Sequence, residues 1–325
     1  MSVIRAVVKG CGHYLPERVV ENDEFTKTLD TSDEWIRART GIERRHFAAD
    51  DQKTSDLAFE AATMALKNAG MTGPDLDAIV LATATPDQTF PSTATRLQYA
   101  IGMTGGFAFD LQAVCAGFIY ALANATALIE SGHAKTVMVV GAETFSRIID
   151  FTDRGTCVLF GDGAGAPILQ GEVSDGARED RGVLSTDLNS DGKYNDLLYV
   201  DGGVSSTQSA GLLRMQGQEV FKHAVSKLAS SGEKALELAG LTAEDIDWIV
   251  PHQANLRIIK RTAKKMGVSM DKVVVTVQDH GNTSAASIPL ALSVAVERGQ
   301  IKKGDLLLLE AIGGGLAWGA AAVRW

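Results

Sequence analysis

Cysteine is scarce in this chain. Its three cysteines, Cys11, Cys115 and Cys157, lie too far apart to form a Cys-x-x-Cys pair. The sequence therefore offers no metal site of zinc type, and it fits a reducing cytoplasm better than a disulfide framework. Long apolar runs are missing too, since none approaches the roughly 18 residues of a membrane span. The opening stretch, Met1-Ser-Val-Ile-Arg-Ala-Val-Val-Lys9, is short and charged, unlike a signal peptide, and reads as a first strand. Positive charge is not in excess: 31 Lys and Arg stand against 40 Asp and Glu, a formal net charge of −9. That balance speaks against a general nucleic-acid binder. Aromatics are few, at 6%. What remains is a chain of 325 residues, 45% hydrophobic, long enough for a large core and for two domains.

The chain contains an echo of itself. Ala65-Leu-Lys-Asn-Ala-Gly-Met-Thr-Gly-Pro-Asp-Leu-Asp-Ala-Ile-Val80 matches Ala235-Leu-Glu-Leu-Ala-Gly-Leu-Thr-Ala-Glu-Asp-Ile-Asp-Trp-Ile-Val250 at nine of sixteen positions, 170 residues apart. Both copies read as a helix end with a glycine stop, an acidic turn and a buried strand. Val137-Met-Val-Val-Gly-Ala142 matches Leu306-Leu-Leu-Leu-Glu-Ala311 at almost the same offset. Two matches in register predict two homologous α/β halves, 1–170 and 171–325, each a mixed sheet with helix cover. The stretch Gly171–Ser209, rich in Asp, Gly and Ser, reads as a loop-bearing insertion at the junction.

Chemistry-bearing residues fall at strand ends in both halves. Cys115 lies between the strand-like run Phe107–Val114 and a helical run from Ala116 to Ile129. A thiol at a helix N-terminus feels unpaired N–H groups and the positive end of the dipole, which favours thiolate. On position alone a small buried core cysteine is the more common reading. His252 follows the strand ending at Val250 and could be a satisfied core histidine. Asn282 follows a second strand-like run, Lys272–Gln278, and could be a turn residue. His280 reads as structural. The glycine run Gly161–Gly165 reads as a tight turn and not a dinucleotide site. The run Asn255–Met266 carries Arg257, Lys260, Arg261, Lys264 and Lys265 without an acid. It is either a solvated helix face or, with Lys222, a docking patch for an acidic partner.

Several segments resemble one family: Asp30-Thr-Ser-Asp-Glu-Trp-Ile36, Ala113-Val-Cys-Ala-Gly-Phe118, Thr152-Asp-Arg-Gly-Thr156, Phe160-Gly-Asp-Gly-Ala-Gly-Ala166, Pro251-His-Gln-Ala-Asn-Leu-Arg257, His280-Gly-Asn-Thr-Ser-Ala-Ala286 and Gly313-Gly-Gly-Leu-Ala-Trp-Gly319. In this order they resemble β-ketoacyl-[acyl-carrier-protein] synthase III, the initiating condensing enzyme of type II fatty-acid synthesis. The resemblance implies a thiolase-like fold, a five-layer α-β-α-β-α duplication, in a cytoplasmic homodimer.

It implies that Cys115 accepts an acyl group from acetyl-CoA or another short acyl-CoA. His252 and Asn282 would then serve decarboxylation of malonyl-acyl-carrier protein and condensation. The backbone N–H groups of Cys115 and Gly314 would form an oxyanion hole. Trp35, Arg39, Thr40, Arg154, Gly155, Gly217 and Asn255 would hold CoA. Phe90, reaching across the dimer, and Phe160 would bound the acyl pocket, and Lys222, Arg257, Lys260, Arg261 and Lys264 would meet the acyl-carrier protein. No cofactor or metal, and no nucleic-acid or membrane partner, is implied. The chain departs from familiar family forms at Ile312, where a bulky aromatic often precedes the glycines. Two alternatives stay open: a related enzyme priming a secondary-metabolite pathway, and, from residue types alone, a Cys-His-Asn hydrolase. No second cysteine lies near Gly313–Ala317, which argues against a degradative thiolase.

Overall fold

The computed structural model of the protein describes residues 2–325. The chain runs through β1 (Val3–Tyr14), β2 (Arg18–Glu21), α1 (Asn22–Thr26), α2 (Asp33–Thr40), β3 (Arg44–Phe47), α3 (Thr54–Ala69), β4 (Ala78–Ala82), α4 (Thr93–Ala100), β5 (Phe107–Leu111), α5 (Gly117–Glu130), β6 (Thr136–Glu143) and β7 (Gly163–Ser174). It continues through β8 (Gly182–Ser190), β9 (Leu198–Val200), β10 (Leu213–Met215), α6 (Gly217–Leu238), β11 (Trp248–Pro251), α7 (Leu256–Lys265), α8 (Val277–His280), α9 (Ser287–Glu297), β12 (Leu306–Gly313) and β13 (Ala317–Arg324).

Two sheets carry the fold, and they have the same plan. The first is ordered β1-β7-β6-β4-β5 and the second β8-β13-β12-β11. In each, a parallel pair (β4 with β6, β11 with β12) is followed by antiparallel neighbours. The repeated residues have repeated jobs. Gly70 and Gly240 adopt φ of 64° and 68° just beyond α3 and α6, where a left-handed residue ends a helix cheaply. Thr72 with Asp75 and Thr242 with Asp245 form reciprocal caps on the following turns. The Asp77 carboxylate accepts from the backbone of Lys135 and Thr136, and that of Asp247 from Leu306, tying neighbouring strands together.

Five layers result. Helices α3 and α4 cover one face of the first sheet, and α6 covers one face of the second. Between the sheets lie α5 and α9, in contact with both. The central core is built from Phe118, Ile119, Leu122, Ile288 and Leu292 on these helices against Val80, Val139, Leu307 and Leu309 on the strands. A helix apolar on every side belongs in such a position.

Three sequence expectations change. The run Lys272–Gln278 is no strand. It makes one parallel bridge, Val273 with Ile249, before Val277 opens α8. The Gln253 side chain takes the backbone groups a ladder would have used, donating to Val274 O and accepting from Thr276 N and Val277 N. Gly171–Ser209 is not simply an insertion, because β7 continues to Ser174 and β8 is a full strand paired with β13. The polar residues of β8 point at α6: Ser185 donates to Ala235 O, and Asp187 accepts from Ser231 Oγ. The stretch 191–212 holds a 3-10 turn and the short strand β9 between loops, and 175–181 links β7 to β8. The glycine run Gly161–Gly165 is mostly the start of β7. A Cβ on Gly165 would lie 2.4 Å from Leu290 N, so glycine there lets α9 pack directly on the sheet.

Candidate active site

Cys115 sits in a 3-10 turn, Val114–Ala116, between β5 and α5. Val114 has φ of 48°, and 170 residues later Ser284 has φ of 50° in the matching turn Ser284–Ala286 before α9. Such angles are strained for branched or hydroxylated residues and cluster at functional sites. The two turns pack against each other at the centre of the molecule. Gly313, at the end of β12, lies on the first turn, since a Cβ there would come 2.6 Å from Cys115 N. Gly314 follows under Leu198 O, 2.6 Å from where its Cβ would be.

The thiolate expectation does not hold for the resting site. Burial pushes the Cys115 thiol up to about 12, and the charge of Glu143 adds to this. The Ser284 hydroxyl and the Cys115 backbone N–H oppose it. Desolvation outweighs a dipole whose helix begins two residues later. Burial thus favours the thiol form of Cys115 in the resting site.

His252 extends from the end of β11, its backbone N–H donating to Glu310 O at 2.8 Å. Its side chain is buried, Nδ1 has no hydrogen-bond partner among the described residues, and burial lowers its pKa to about 3. The imidazole is therefore neutral at working pH. Asn282 is buried and pairs through its backbone with the 159–161 segment, donating to Leu159 O and accepting from Gly161 N. Its Oδ1 accepts from Ser284 N at 2.9 Å, which turns the amide and leaves Nδ2 as the group offered to another partner. Next to His252, Gln253 N donates to Ser287 Oγ at 2.6 Å, linking this loop to the start of α9. His280 is buried, with burial lowering its pKa to about 3.

Two buried acids on the central strands, Glu143 and Glu310, were not assigned roles from sequence. Glu143, at the end of β6, accepts from the Thr83 and Thr85 hydroxyls and from Ala84 N and Ala285 N, and burial raises it to about 7. Glu310, on β12, has an Oε2 without a partner among the described residues, and burial raises it to about 8. A lone acid inside an otherwise apolar strand run was the signal available for both.

The residues implied for CoA gather mainly at α2. The Arg39 and Arg154 guanidinium carbons lie 4.7 and 4.9 Å from the centroid of the Trp35 ring. Gly155 is exposed beside Arg154, its N–H donating to Asp153. Asn255 caps α7 by accepting from Arg257 N and donates from Nδ2 to Arg39 O. Gly217 is the exposed first residue of α6. Thr40 is the last residue of α2. Its buried hydroxyl donates to Ile36 O and accepts from Ile42 N, so its bonds are spent on ending α2. Phe160 is buried and stacked on Phe145 at 4.7 Å, bridged to Asn282 through the backbone. Phe90 is 81% exposed, so it does not line the pocket of its own subunit.

On α7, Arg257, Lys260, Arg261, Lys264 and Lys265 are exposed while Ile258, Ile259, Thr262 and Ala263 are buried. Arg257 and Arg261 lie over the Phe221 ring of α6. No described carboxylate pairs with the five α7 cations, whereas Lys222 is paired with Glu219 at 2.5 Å.

A duplicated five-layer fold with a thiol turned in between its halves is that of the thiolase-type acyltransferases. The model of 3-oxoacyl-[acyl-carrier-protein (ACP)] synthase III matches residues 109–192, and that of the C-terminal part of the same enzyme matches 236–325. The chain is 71% identical over 321 residues to β-ketoacyl-[acyl-carrier-protein] synthase III of Ruegeria sp. (strain TM1040) and 67% identical to that of Paracoccus denitrificans (strain Pd 1222), covering 99% of each chain. Among solved structures, 3-oxoacyl-[acyl-carrier-protein] synthase III from Aquifex aeolicus VF5 superposes with a TM-score of 0.92 at 44% identity, over 98% of this chain and 100% of that one. The priming β-ketosynthase of the R1128 polyketide pathway superposes with a TM-score of 0.91 at 36% identity, over 98% and 96%. The chain belongs to the β-ketoacyl-[acyl-carrier-protein] synthase III family and is an acyltransferase of the condensing kind.

Proposed function

We propose that the protein condenses a short acyl-CoA, acetyl-CoA first, with malonyl-acyl-carrier protein to give a 3-oxoacyl-acyl-carrier protein, the first carbon–carbon bond of a fatty acid. The observation that carries the reading is the pairing of the Cys115 turn with the Ser284 turn, whose backbone N–H orients the Asn282 amide. Cys115 loses its proton as it attacks the acetyl carbonyl. The oxyanion is held by the backbone N–H groups of Cys115 and Gly314, and CoA leaves as its thiol. Malonyl-acyl-carrier protein then loses carbon dioxide. The enolate oxygen so formed takes hydrogen bonds from neutral His252 and from Asn282 Nδ2, each worth about 3–4 kcal/mol of barrier. The enolate carbon attacks the Cys115 thioester, and the expelled thiolate takes up a proton. CoA and the pantetheine thioester are substrates here, and no cofactor enters.

The same reading assigns three surfaces. The slot between Trp35 and Arg154 takes the flat CoA base. The unpaired cations of α7 meet the acidic carrier protein. A second copy of the chain adds to β5, which has a neighbour on one side only. Phe107, Phe90 and Tyr99 are 38%, 81% and 89% exposed, and Phe90 would then reach the partner's acyl pocket. Among the described residues no helix is long and apolar enough to cross a membrane, and the reaction places the enzyme in the cytoplasm with its substrates.

Incubation with acetyl-CoA followed by peptide mass mapping tests the core of this reading. The expected result is one acetyl group on the Cys115 peptide, lost on adding malonyl-acyl-carrier protein. No acetylation, or acetylation elsewhere, overturns it. A wild-type optimum at long acyl chains would instead favour the priming of another pathway.

A further inference from the structure

Arg45 is wholly buried on β3, and burial lowers its pKa to about 10. No carboxylate pairs with it among the described residues. A buried guanidinium is costly unless its donors are met, and well-packed apolar side chains usually serve stability better. Its partners therefore call for a reason. Nη1 donates to Val20 O at 3.0 Å. Nη2 donates to Asn22 Oδ1 at 2.9 Å and to Val158 O at 2.7 Å. The guanidinium also lies 4.9 Å from the Phe25 ring centroid.

Two of these acceptors, Asn22 and Val158, connect to the segments that carry the walls of the Trp35–Arg154 slot. Asn22 passes the bond on, since its Nδ2 donates to Asp33 Oδ1 and to Ile42 O, both at 2.8 Å. Asp33 opens α2 and Ile42 follows its end, so the helix carrying Trp35 and Arg39 is held at both ends by one amide. Val158 belongs to the segment that begins at Arg154. That segment turns at 153–157 through bonds to Asp153 O and continues to Leu159, whose carbonyl receives Asn282 N. One planar fork thus sets the separation between the Trp35 wall and the Arg154 wall. Lysine, a point donor on a flexible stem, cannot hold both acceptors in that geometry.

We infer that Arg45 is a positioning residue for the nucleotide end of the acyl-CoA, acting through Asn22 on one wall of the slot and through Val158 on the other. The inference rests on the reading of the Trp35–Arg154 slot as the CoA site. It predicts a defect that depends on the nucleotide. Arg45→Lys should raise KM for acetyl-CoA roughly tenfold, the scale of one lost charge-assisted hydrogen bond, with kcat for Cys115 acetylation little changed. With acetyl-N-acetylcysteamine, a thioester donor without the nucleotide, kcat/KM should match the wild type. Asn22→Asp keeps the acceptor for Arg45 and removes the donor to Asp33 and Ile42. It should show the same donor-selective rise, and it serves if Arg45→Lys fails to fold. Equal losses with both donors in a folded variant, or no loss with either, overturn the inference. Trp35→Ala is run alongside. If it too lacks a CoA-selective defect, the reading of the slot fails and the inference with it. If it shows one while Arg45→Lys and Asn22→Asp do not, the inference alone fails.

Discussion

The two matching turns of the fold differ in what they carry. Val114–Ala116 and Ser284–Ala286 share their backbone strain and their role in opening an inner helix, although the first follows β5 and the second follows α8. Yet the first holds Cys115, and the residue 170 positions later is Ala285. Around the first, Gly313 lets β12 approach the backbone N–H groups. Around the second, Glu143 accepts from Ala285 N at 3.4 Å, and Asn282 is oriented by Ser284. Duplication thus supplied two similar frames, and in the proposed mechanism the halves divide the chemistry: nucleophile from one, hydrogen-bond donors from the other. The difference teaches that the same strained turn occurs with and without a thiol, so what surrounds each turn becomes the thing to test.

The strongest way to break this comparison is to exchange the frames. Cys115→Ala should reduce acylation and condensation to background, while malonyl decarboxylation partly survives on the remaining donors. Adding Ala285→Cys places a thiol in the matching turn, where Gly313 does not lie and the Glu143 carboxyl does. Mass mapping should then find no acetyl group on the new cysteine. Acetylation there would mean that the turn itself is sufficient.

A smaller effect separates the donors from the nucleophile. His252→Ala and Asn282→Ala should each slow malonyl decarboxylation by about 10²–10³-fold, the usual loss for one oxyanion donor. Single-turnover acetylation of Cys115 should fall far less. Equal losses in both steps would place these side chains in the first half-reaction as well.

Smaller again is the contrast between the unpaired cations of α7 and the paired Lys222. Arg257→Glu with Lys260→Glu should raise KM for malonyl-acyl-carrier protein about tenfold and flatten its salt dependence, leaving acetylation by acetyl-CoA unchanged. Steady-state kinetics at two ionic strengths decide it. A matching rise for acetyl-CoA would assign the helix to CoA instead.

Much of this was legible in the chain because duplication writes itself twice. Gly70 with Gly240, Thr72 with Thr242 and Asp77 with Asp247 are identical since each pair solves the same backbone problem. The sheet plan followed from that. What stayed hidden depends on side chains meeting backbone across long separations. Gln253 satisfies the groups that would have made 272–278 a strand. Thr40 spends its hydroxyl on its own helix end. The thiol of Cys115 rises because of burial, which no local motif reports. Polar composition misled at β8, where Ser185 and Asp187 bond to α6 and read as loop only when α6 is out of view.

The last contrast is between the two buried acids of the central strands. Glu143 is surrounded by donors, whereas Glu310 leaves Oε2 unpartnered among the described residues. Both have folded pKa values above the ordinary 4.5, about 7 and about 8. A raised folded pKa means that the folded state keeps a proton the unfolded chain has released. The associated stability is complete below pH 4.5 and is lost as pH rises through the folded pKa. For Glu310 that window runs from 4.5 to about 8. Glu310→Gln removes the titration without changing shape, so thermal melting should be near wild type at pH 5 and higher than wild type at pH 9. The gain should be on the order of 2–4 °C for each kcal/mol recovered. His252 loses stability towards acid, from pH 6.5 down to about 3, but it does so in both proteins and cancels in the difference. Glu143→Gln should behave in the opposite way. Its new NH₂ group would face hydroxyl and backbone donors, so melting should fall at both pH values. A Glu310→Gln variant no more stable at pH 9 than at pH 5, relative to wild type, would mean that this carboxyl finds a partner, and the two acids would then be alike.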